Sequence, residues 1–364
     1  MRAPPRSVLI VVTRRLGDVL LATPLMRSIK QAWPQAVLDA LVFKGTEGAL
    51  AGNQDVRQVL TVPERPGLLQ HLRFIGRLLR RYDIALSAAA ADRPTLYAFL
   101  AGRWRAGLLS PARKEAWKRR LLHAWVPFDN LNTHTVPMGL ALADLLGAPR
   151  SGEVVIKWDA RDEQYVAELL GGDSGIPLAV LHAYPKFNYK MWRADAWIEL
   201  ARWLARCGYR LALTGGGEAG ELAYVDSLAR AMPAGTINAA GKLSLGASAC
   251  LVSRARIYIG PDTAMTHIAA ALGAPTVALY GPTNPVKWGP WPRGQAPAAN
   301  PWRHCGSQRA RNVTLLQGTE ACVPCHLEGC DRHIGSYSDC LQTLPARTVI
   351  EAVEASLRPE RTPT

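Results

Sequence analysis

An alternation constrains this chain more than any other feature. Short apolar runs that read as strands at 8–13, 37–43, 84–88, 178–181, 210–214, 257–259 and 276–280 are separated by helical periodicity at 19–31, 195–207, 218–231 and 264–272. Strands that are apolar throughout are covered on both faces, and helices between them are the crossovers of parallel sheets. The pattern breaks near 160–175, where Gly171, Gly172, Asp173, Ser174 and Gly175 make a joint. A chain of 364 residues has room for about two domains of ordinary size. The expected fold class is therefore α/β, with two Rossmann-like parallel-sheet units in tandem.

Composition narrows the function classes. Hydrophobic residues make up 48% and charged residues 20%, as in a soluble globular protein. No apolar run approaches the ~20 residues of a membrane span. The basic N-terminus leads into Ser-Val-Leu-Ile-Val-Val-Thr, too short for a secretory signal and better read as a buried strand, so a cytoplasmic location is expected. The formal net charge of +14 favours an anionic partner. Arg73, Arg77, Arg80 and Arg81 stand among Leu68, Leu69, Leu72, Ile75, Leu78 and Leu79 at helical spacing. A second basic stretch, 103–120, ends in Arg120 and interleaves Trp104, Leu108, Leu109 and Trp117. Basic charge beside exposed Trp and Leu suits peripheral contact with an anionic membrane leaflet. No nucleic-acid module is recognisable and both stretches fall in one half of the chain, so nucleic acid is not an expected partner.

Ligands of open α/β sheets bind beyond the carboxyl ends of the strands, which singles out four loops. Thr13-Arg14-Arg15-Leu16-Gly17-Asp18 places Asp18 where a strand becomes a helix, a position for an N-cap or a base. The loop from His182 to Trp192 carries Lys186 and Lys190 among aromatic residues, either an anion site or an ordinary surface loop. Gly215-Gly216-Gly217-Glu218 leads into a helix, a turn or a phosphate-binding approach. The fourth, Gly260-Pro-Asp262-Thr263-Ala264-Met-Thr266-His267, sets hydroxyls and free amides at a helix start, where a diphosphate can be held without metal. No Asp-x-Asp triplet is present for a metal-dicarboxylate nucleotide site.

Arg15-Leu-Gly-Asp18-Val-Leu-Leu-Ala-Thr-Pro24-Leu, Lys190-x-Trp192, and Gly260-Pro-Asp-Thr-Ala-Met-Thr-His267 with Tyr280-Gly-Pro-Thr fall in the order that resembles the heptosyltransferases of glycosyltransferase family 9. The resemblance runs from about residue 7 to 355. It implies a GT-B fold with two Rossmann-like domains facing across a cleft. Residues 1–170 would bind acceptor, and 171–345 the ADP-sugar, including a Cys-rich segment at 322–340. A closing helix and tail at 346–364 could pack back on the N-terminal domain. It implies inverting transfer of heptose from ADP-heptose to the lipopolysaccharide inner core, with no cofactor required for catalysis. Asp18 becomes the general base; an aspartate near its ordinary pKa of about 4 would be a weak one. Lys190 would neutralise the donor diphosphate and Asp262 would bind sugar hydroxyls. Thr263 and the amide near Ala264 would contact phosphate, Glu218 or Glu221 the ribose, and His267 would face the ligand or merely pack. Arg73, Arg77, Arg80 and Arg120 would face a phosphorylated acceptor or the leaflet. Two positions depart from the family's pattern: Ala264 stands where Gly is frequent, a strain if that residue needs positive φ, and Tyr184-Pro185 replace hydroxyl residues found in some members.

Seven cysteines remain, four of them as Cys322-Val-Pro-Cys325, Cys330 and Cys340. In a reducing compartment that spacing reads as a structural thiolate site for zinc or iron, with His326 or His333 as substitute ligands, or as free thiols. Relatives that modify autotransporter proteins are similar in carrying a C-terminal cysteine-ligated metal. The alternatives to lipopolysaccharide heptosyl transfer are a family 9 enzyme with a protein or other glycan as acceptor, and a non-catalytic metal-binding scaffold on a GT-B body.

Overall fold

The computed structural model describes residues 4–172 and 175–358; Asp173 and Ser174 of the joint, and the ends at 1–3 and 359–364, lie outside the described residues. The chain forms two compact units: the part up to Lys157 with Gly294–Asn300, and Trp158–Arg293 with the part from Pro301 onward.

The first unit contains β1 (Ser7–Val12), α1 (Leu16–Leu21), α2 (Thr23–Ala32), β2 (Val37–Phe43), β3 (Gln58–Val62), α3 (Leu68–Leu78), β4 (Tyr82–Ser87), α4 (Asp92–Ala101), β5 (Gly102–Leu109), β6 (Ala124–Pro127) and α5 (Thr135–Asp144). Its six strands are parallel in the order β3-β2-β1-β4-β5-β6. The helix predicted over 19–31 is two helices. Pro24 has no N–H for the Leu20 carbonyl; the Thr23 hydroxyl donates to that carbonyl at 2.7 Å and accepts from the Val155 amide at 2.8 Å. Buried Asp39 in β2 is fully engaged, with Arg57 donating to both oxygens (3.0 and 2.6 Å) and the Tyr82 hydroxyl donating at 2.8 Å. β5 lies inside the stretch read as basic and surface-seeking. Gly102 and Gly107 let it lie close beside β4, since a Cβ at either would come within 2.8 Å of Ala85 or Ser87. Leu108 and Leu109 are therefore buried, which removes them from any exposed apolar face.

The second unit contains α6 (Ala160–Leu169), β7 (Leu178–His182), α7 (Ala194–Arg206), β8 (Arg210–Thr214), α8 (Ala219–Ala231), β9 (Ile237–Asn238), α9 (Leu245–Ser253), β10 (Ile257–Pro261), α10 (Ala264–Leu272), β11 (Thr276–Tyr280), α11 (Pro285–Trp288), β12 (Gln308–Ala310), β13 (Val313–Gln317), α12 (Asp339–Gln342) and α13 (Ala346–Leu357). Its order is β12-β13-β11-β10-β7-β8-β9, parallel except for β12. Two boundaries differ from expectation. The unit begins at Trp158, not near 170: α6 opens with a capping box of Asp159 and Asp162, and Ser244 at the cap of α9 donates to Asp162 at 2.7 Å. The closing helix α13 belongs to this second unit and not to the N-terminal one, because Ala346, Val349 and Val353 are buried in the core that holds Trp192, Trp197 and Val277.

In both sheets the first strand has its successor on one side and the fourth strand of the unit on the other. The connections reverse between β1 and β4, and between β7 and β10. Those are the switch points where open α/β sheets leave a crevice for ligand. Among the described residues no helix is long and apolar enough to cross a membrane.

Candidate functional site

In the second unit the residues at the β7/β10 switch point converge. Asp262 follows β10 directly and is buried; Lys190 comes from the loop after β7, in a short 3-10 turn at Asn188–Lys190, and its Nζ pairs with Asp262 Oδ2. Thr283, just beyond β11, also hydrogen-bonds Asp262. The Tyr280 hydroxyl lies 3.3 Å from Asp262 Oδ1 and donates to the Trp288 carbonyl at 2.8 Å. His267 Nε2 stands 3.9 Å from the same carboxylate. Burial pushes the Asp262 carboxyl up, but the charge of Lys190, then His267 and the hydrogen bonds of Lys190 and Thr283, hold it below the ordinary carboxylate range. Burial drives His267 down to about 4, so it is neutral near pH 7. Its Nδ1 is buried and has no hydrogen-bond partner among the described residues.

Thr263 is the N-cap residue of α10, yet its side chain makes no capping hydrogen bond. The Thr263 hydroxyl lies 3.4 Å from that of Thr266, whose own partners are Tyr258 (3.1 Å) and the Pro261 carbonyl (2.5 Å). The first amides of α10 are thus not capped by Thr263 and stand at the positive end of the helix dipole. Ala264 is the first residue of that helix and does not have positive φ, so the departure from Gly costs no backbone strain.

The neighbouring loops separate the two glutamates. Glu218 is exposed at the start of α8, whereas Glu221 turns back and accepts the Gly216 amide at 2.6 Å. A Cβ at Gly216 would fall 2.8 Å from that carboxylate, so the glycine run is shaped around Glu221. Burial raises the Glu221 carboxyl, with the Gly216 N–H opposing. His182, at the end of β7, faces Thr214 at the end of β8 (Nδ1 to Oγ1, 3.0 Å), and burial lowers it to about 4. His182, Tyr280 and Thr283 join the site without a sequence motif that marks their roles. Their positions at strand ends were the available signal.

In the first unit Asp18 is not the N-cap of α1. Arg15 holds that place, and Asp18 is third in the helix, accepting the Arg15 amide. Arg14 Nε lies 3.6 Å from Asp18 Oδ1. Burial raises the Asp18 carboxyl, the charge of Arg14 lowers it, and the balance lies above the ordinary value. That makes Asp18 a better proton acceptor than an unshifted aspartate.

The basic residues divide. Arg73 and Arg77 are exposed on α3 and Arg80 just after it, beside Leu69, Leu72 and Leu79, which are 72, 56 and 60% exposed. Arg120 and Trp117 are exposed in the 113–121 segment, but Lys118 between them is buried, paired with Asp92 and Glu115.

Burial pushes the Cys340 thiol up to about 12, with Cys325, Cys322 and Cys330 adding to the shift. Cys340 is buried while Cys322 and Cys330 are exposed, and the Asp339 amide donates to Cys330 Sγ at 3.4 Å. Among the described residues no three His, Cys, Asp or Glu side chains stand close enough together to hold a metal ion. The expected ligand set is therefore not assembled in this geometry. The segment does pack on the loops described above: Asn188 donates to the Gly335 carbonyl (3.1 Å), Gln342 to that of Met191 (2.7 Å), and the His326 amide to that of Pro282 (2.9 Å).

Comparison with known proteins identifies the family and the fold. Residues 71–315 match the family model of glycosyltransferase family 9 (heptosyltransferase). Lipopolysaccharide heptosyltransferase 1 of Pseudomonas aeruginosa is 31% identical over 307 residues, covering 79% of this chain and 82% of its own. The fold is similar to a family 9 glycosyltransferase from Veillonella parvula, with TM-score 0.77, 19% identity and 97% of each chain covered. It is also similar to E. coli heptosyltransferase WaaC with ADP, with TM-score 0.70, 21% identity, and 96 and 99% covered.

Proposed function

The chain belongs to glycosyltransferase family 9 and is a glycosyltransferase, and on that premise we propose that it transfers heptose from ADP-heptose to the inner core of lipopolysaccharide, inverting the anomeric centre. The observation that carries the reading is the Lys190–Asp262 pair at the β7/β10 switch point, with Asp262 buried, beside the start of α10 that Thr263 leaves uncapped. A diphosphate suits that place. The amides at 264 and 265 and the Thr263 hydroxyl donate to phosphate oxygens, and Lys190 meets the charge that grows on ADP as it leaves. Asp262 then accepts from sugar hydroxyls, with Glu221 and the exposed Glu218 beside the glycine run for the ribose.

On the acceptor side a hydroxyl oxygen attacks the anomeric carbon, a new C–O bond forms, and the bond from that carbon to the diphosphate breaks. The proton passes to the Asp18 carboxylate. Fixed positive charge at Lys190 and α10 serves the departing diphosphate, so the reaction needs no metal for that purpose. The Cys segment takes no part in these steps. Arg73, Arg77 and Arg80 with the exposed leucines of α3 are assigned to an anionic membrane leaflet on the cytoplasmic face, where the acceptor is held.

Calorimetric titration of the purified protein with ADP and ADP-heptose tests the donor half. Binding in the wild type that Asp262→Ala abolishes supports it, and absence of binding by the wild type overturns it. Incubation with ADP-heptose and heptose-deficient core, read by mass spectrometry, tests the acceptor. Transfer only to a protein or another glycan would replace lipopolysaccharide as the substrate.

A further inference from the structure

The Asp18 carboxylate does not stand alone in its turn. A hydrogen bond from the Arg14 amide to the Val12 carbonyl (2.9 Å) closes the chain tightly after β1 and brings the Arg14 side chain back over α1. The guanidinium Nε then lies 3.6 Å from Asp18 Oδ1, one helical turn on, while the Arg15 amide holds the carboxylate from the backbone side. The pair is asymmetric: Asp18 is 14% exposed and Arg14 46%. An ordinary i,i+4 surface pair is worth little, because both charges are already well solvated. Here one partner is withdrawn from water and the other is not.

We propose that Arg14 is a positioning residue for Asp18, fixing the orientation of the carboxylate and keeping it ionised within its desolvating surroundings. The claim rests on the reading of Asp18 as the base and deepens it.

Arg14 and Arg15 are the charges that act on this carboxylate, and both raise its ionised fraction. The charges on elements packed against α1 are engaged elsewhere. Glu47 accepts the Gly45 amide at 2.5 Å, and Arg27 pairs with Asp55 (2.6 Å) and Glu153 (3.3 Å). Lys30 donates to the carbonyls of Pro34 and Ala36 at 2.8 and 2.9 Å, and Asp144 on α5 is bound by Arg150. His134, the cap of α5, accepts the Val136 amide through Nδ1 at 3.1 Å. Among the described residues, removing Arg14 leaves the Arg15 charge and amide to oppose burial.

The test uses the full chain as wild type, Arg14→Gln, Arg14→Lys and Asp18→Asn. Carboxyl 13C NMR of protein labelled at aspartate follows Asp18 through its titration, and the Asp18→Asn spectrum assigns its resonance. In Arg14→Gln the Asp18 midpoint is expected to rise by about one pH unit, the scale of losing one close opposite charge. The acid limb of kcat/KM for transfer should move upward with it, ADP affinity should stay at the wild-type value, and Arg14→Lys should restore most of both. An unmoved Asp18 resonance in Arg14→Gln overturns the proposal, as does lost activity with an unmoved acid limb. If the wild type transfers nothing, the base assignment falls, and the resonance alone still decides whether Arg14 controls the carboxylate.

Discussion

Replacing Lys190 with Met removes an ammonium and keeps most of its apolar stem, so nearly all of the effect falls on Asp262. The two side chains are 17 and 8% exposed. Removing one partner from a buried pair costs about 3–5 kcal/mol, because the other charge stays behind without its counter-ion. Partial exposure of Lys190, and Thr283 with Tyr280 at hand to solvate the carboxylate, place the expected loss at the lower end, about 3 kcal/mol. The pH dependence has a definite sign. In the wild type the Asp262 carboxyl titrates below its unfolded value of 3.8, so its stabilisation is complete above that value and is lost as pH falls through the folded one. Without Lys190 the folded value rises. The deficit of the variant is then largest near neutral pH and shrinks toward pH 4.

Urea unfolding followed by tryptophan fluorescence measures this directly, since Trp192 and Trp197 are buried in the same unit as the pair. Adding Asp262→Asn to Lys190→Met removes the stranded charge and should return part of the loss. ADP titration of the same variants reads the ligand side. Loss of a charge-assisted contact to phosphate weakens binding by about 1.5–3 kcal/mol, roughly ten- to a hundredfold. A Lys190→Met protein that unfolds like the wild type at neutral pH, or whose deficit grows toward acid, would refute the reasoning.

Asp18→Asn should lower the transfer rate by about 10²–10⁴-fold with ADP affinity unchanged, the range expected for removing a general base; parallel loss of ADP binding would count against that role. Changing Leu69, Leu72, Arg73 and Arg77 together to Ser should cut affinity for anionic vesicles more than tenfold, at about 1 kcal/mol for each Arg near the surface, without altering ADP binding; equal sedimentation of both proteins with vesicles would remove α3 from the membrane. His182 and His267 both titrate at about 4, below the 6.5 of the unfolded chain, so their contribution is full above pH 6.5 and drains as pH falls toward 4. That gap is worth at most about 3 kcal/mol for each histidine. The urea midpoint should therefore drop between pH 7 and 5 in the wild type and drop less in His182→Gln, and a pH-independent midpoint would contradict it.

Much of the architecture was legible because buried parallel strands write themselves as unbroken apolar runs. The runs at 37–43, 210–214 and 276–280 match β2, β8 and β11 to the residue. β5 was hidden because Arg103, Trp104 and Arg105 give it a surface composition. Its place in the sheet depends on two glycines fitting against β4, which only the pairing discloses. The unit boundary at Trp158 is less visible than the glycine joint, because a capping box marks it more faintly than glycines do and α6 lies before them. The site divides along the same line. Positions at strand ends were readable, while Thr283 acting on Asp262, Glu221 folding onto its own glycines, and Arg14 over Asp18 depend on side-chain directions that spacing does not specify.

The cysteine segment shows how a feature read for one chemistry can matter through another. As a ligand set it is incomplete among the described residues, but together with the stretch that follows it to Leu344 it holds the loop that carries Lys190. Asn188 is tied to Gly335 and Met191 to Gln342, and just beyond, the Trp192 indole donates to the Leu344 carbonyl at 2.8 Å. On the other side the His326 amide reaches Pro282, next to Thr283, which bonds Asp262. The two loops that present Lys190 and Thr283 are thus held by one segment that contributes no charge of its own to the pair. A lysine on a free loop would lose side-chain and backbone freedom each time it met an anion. Here that ordering is complete in the folded chain, and the fixed positive charge is aimed before any ligand arrives. On the proposed reading, damage to the segment would weaken ADP binding even with Lys190, Asp262 and Thr283 unchanged.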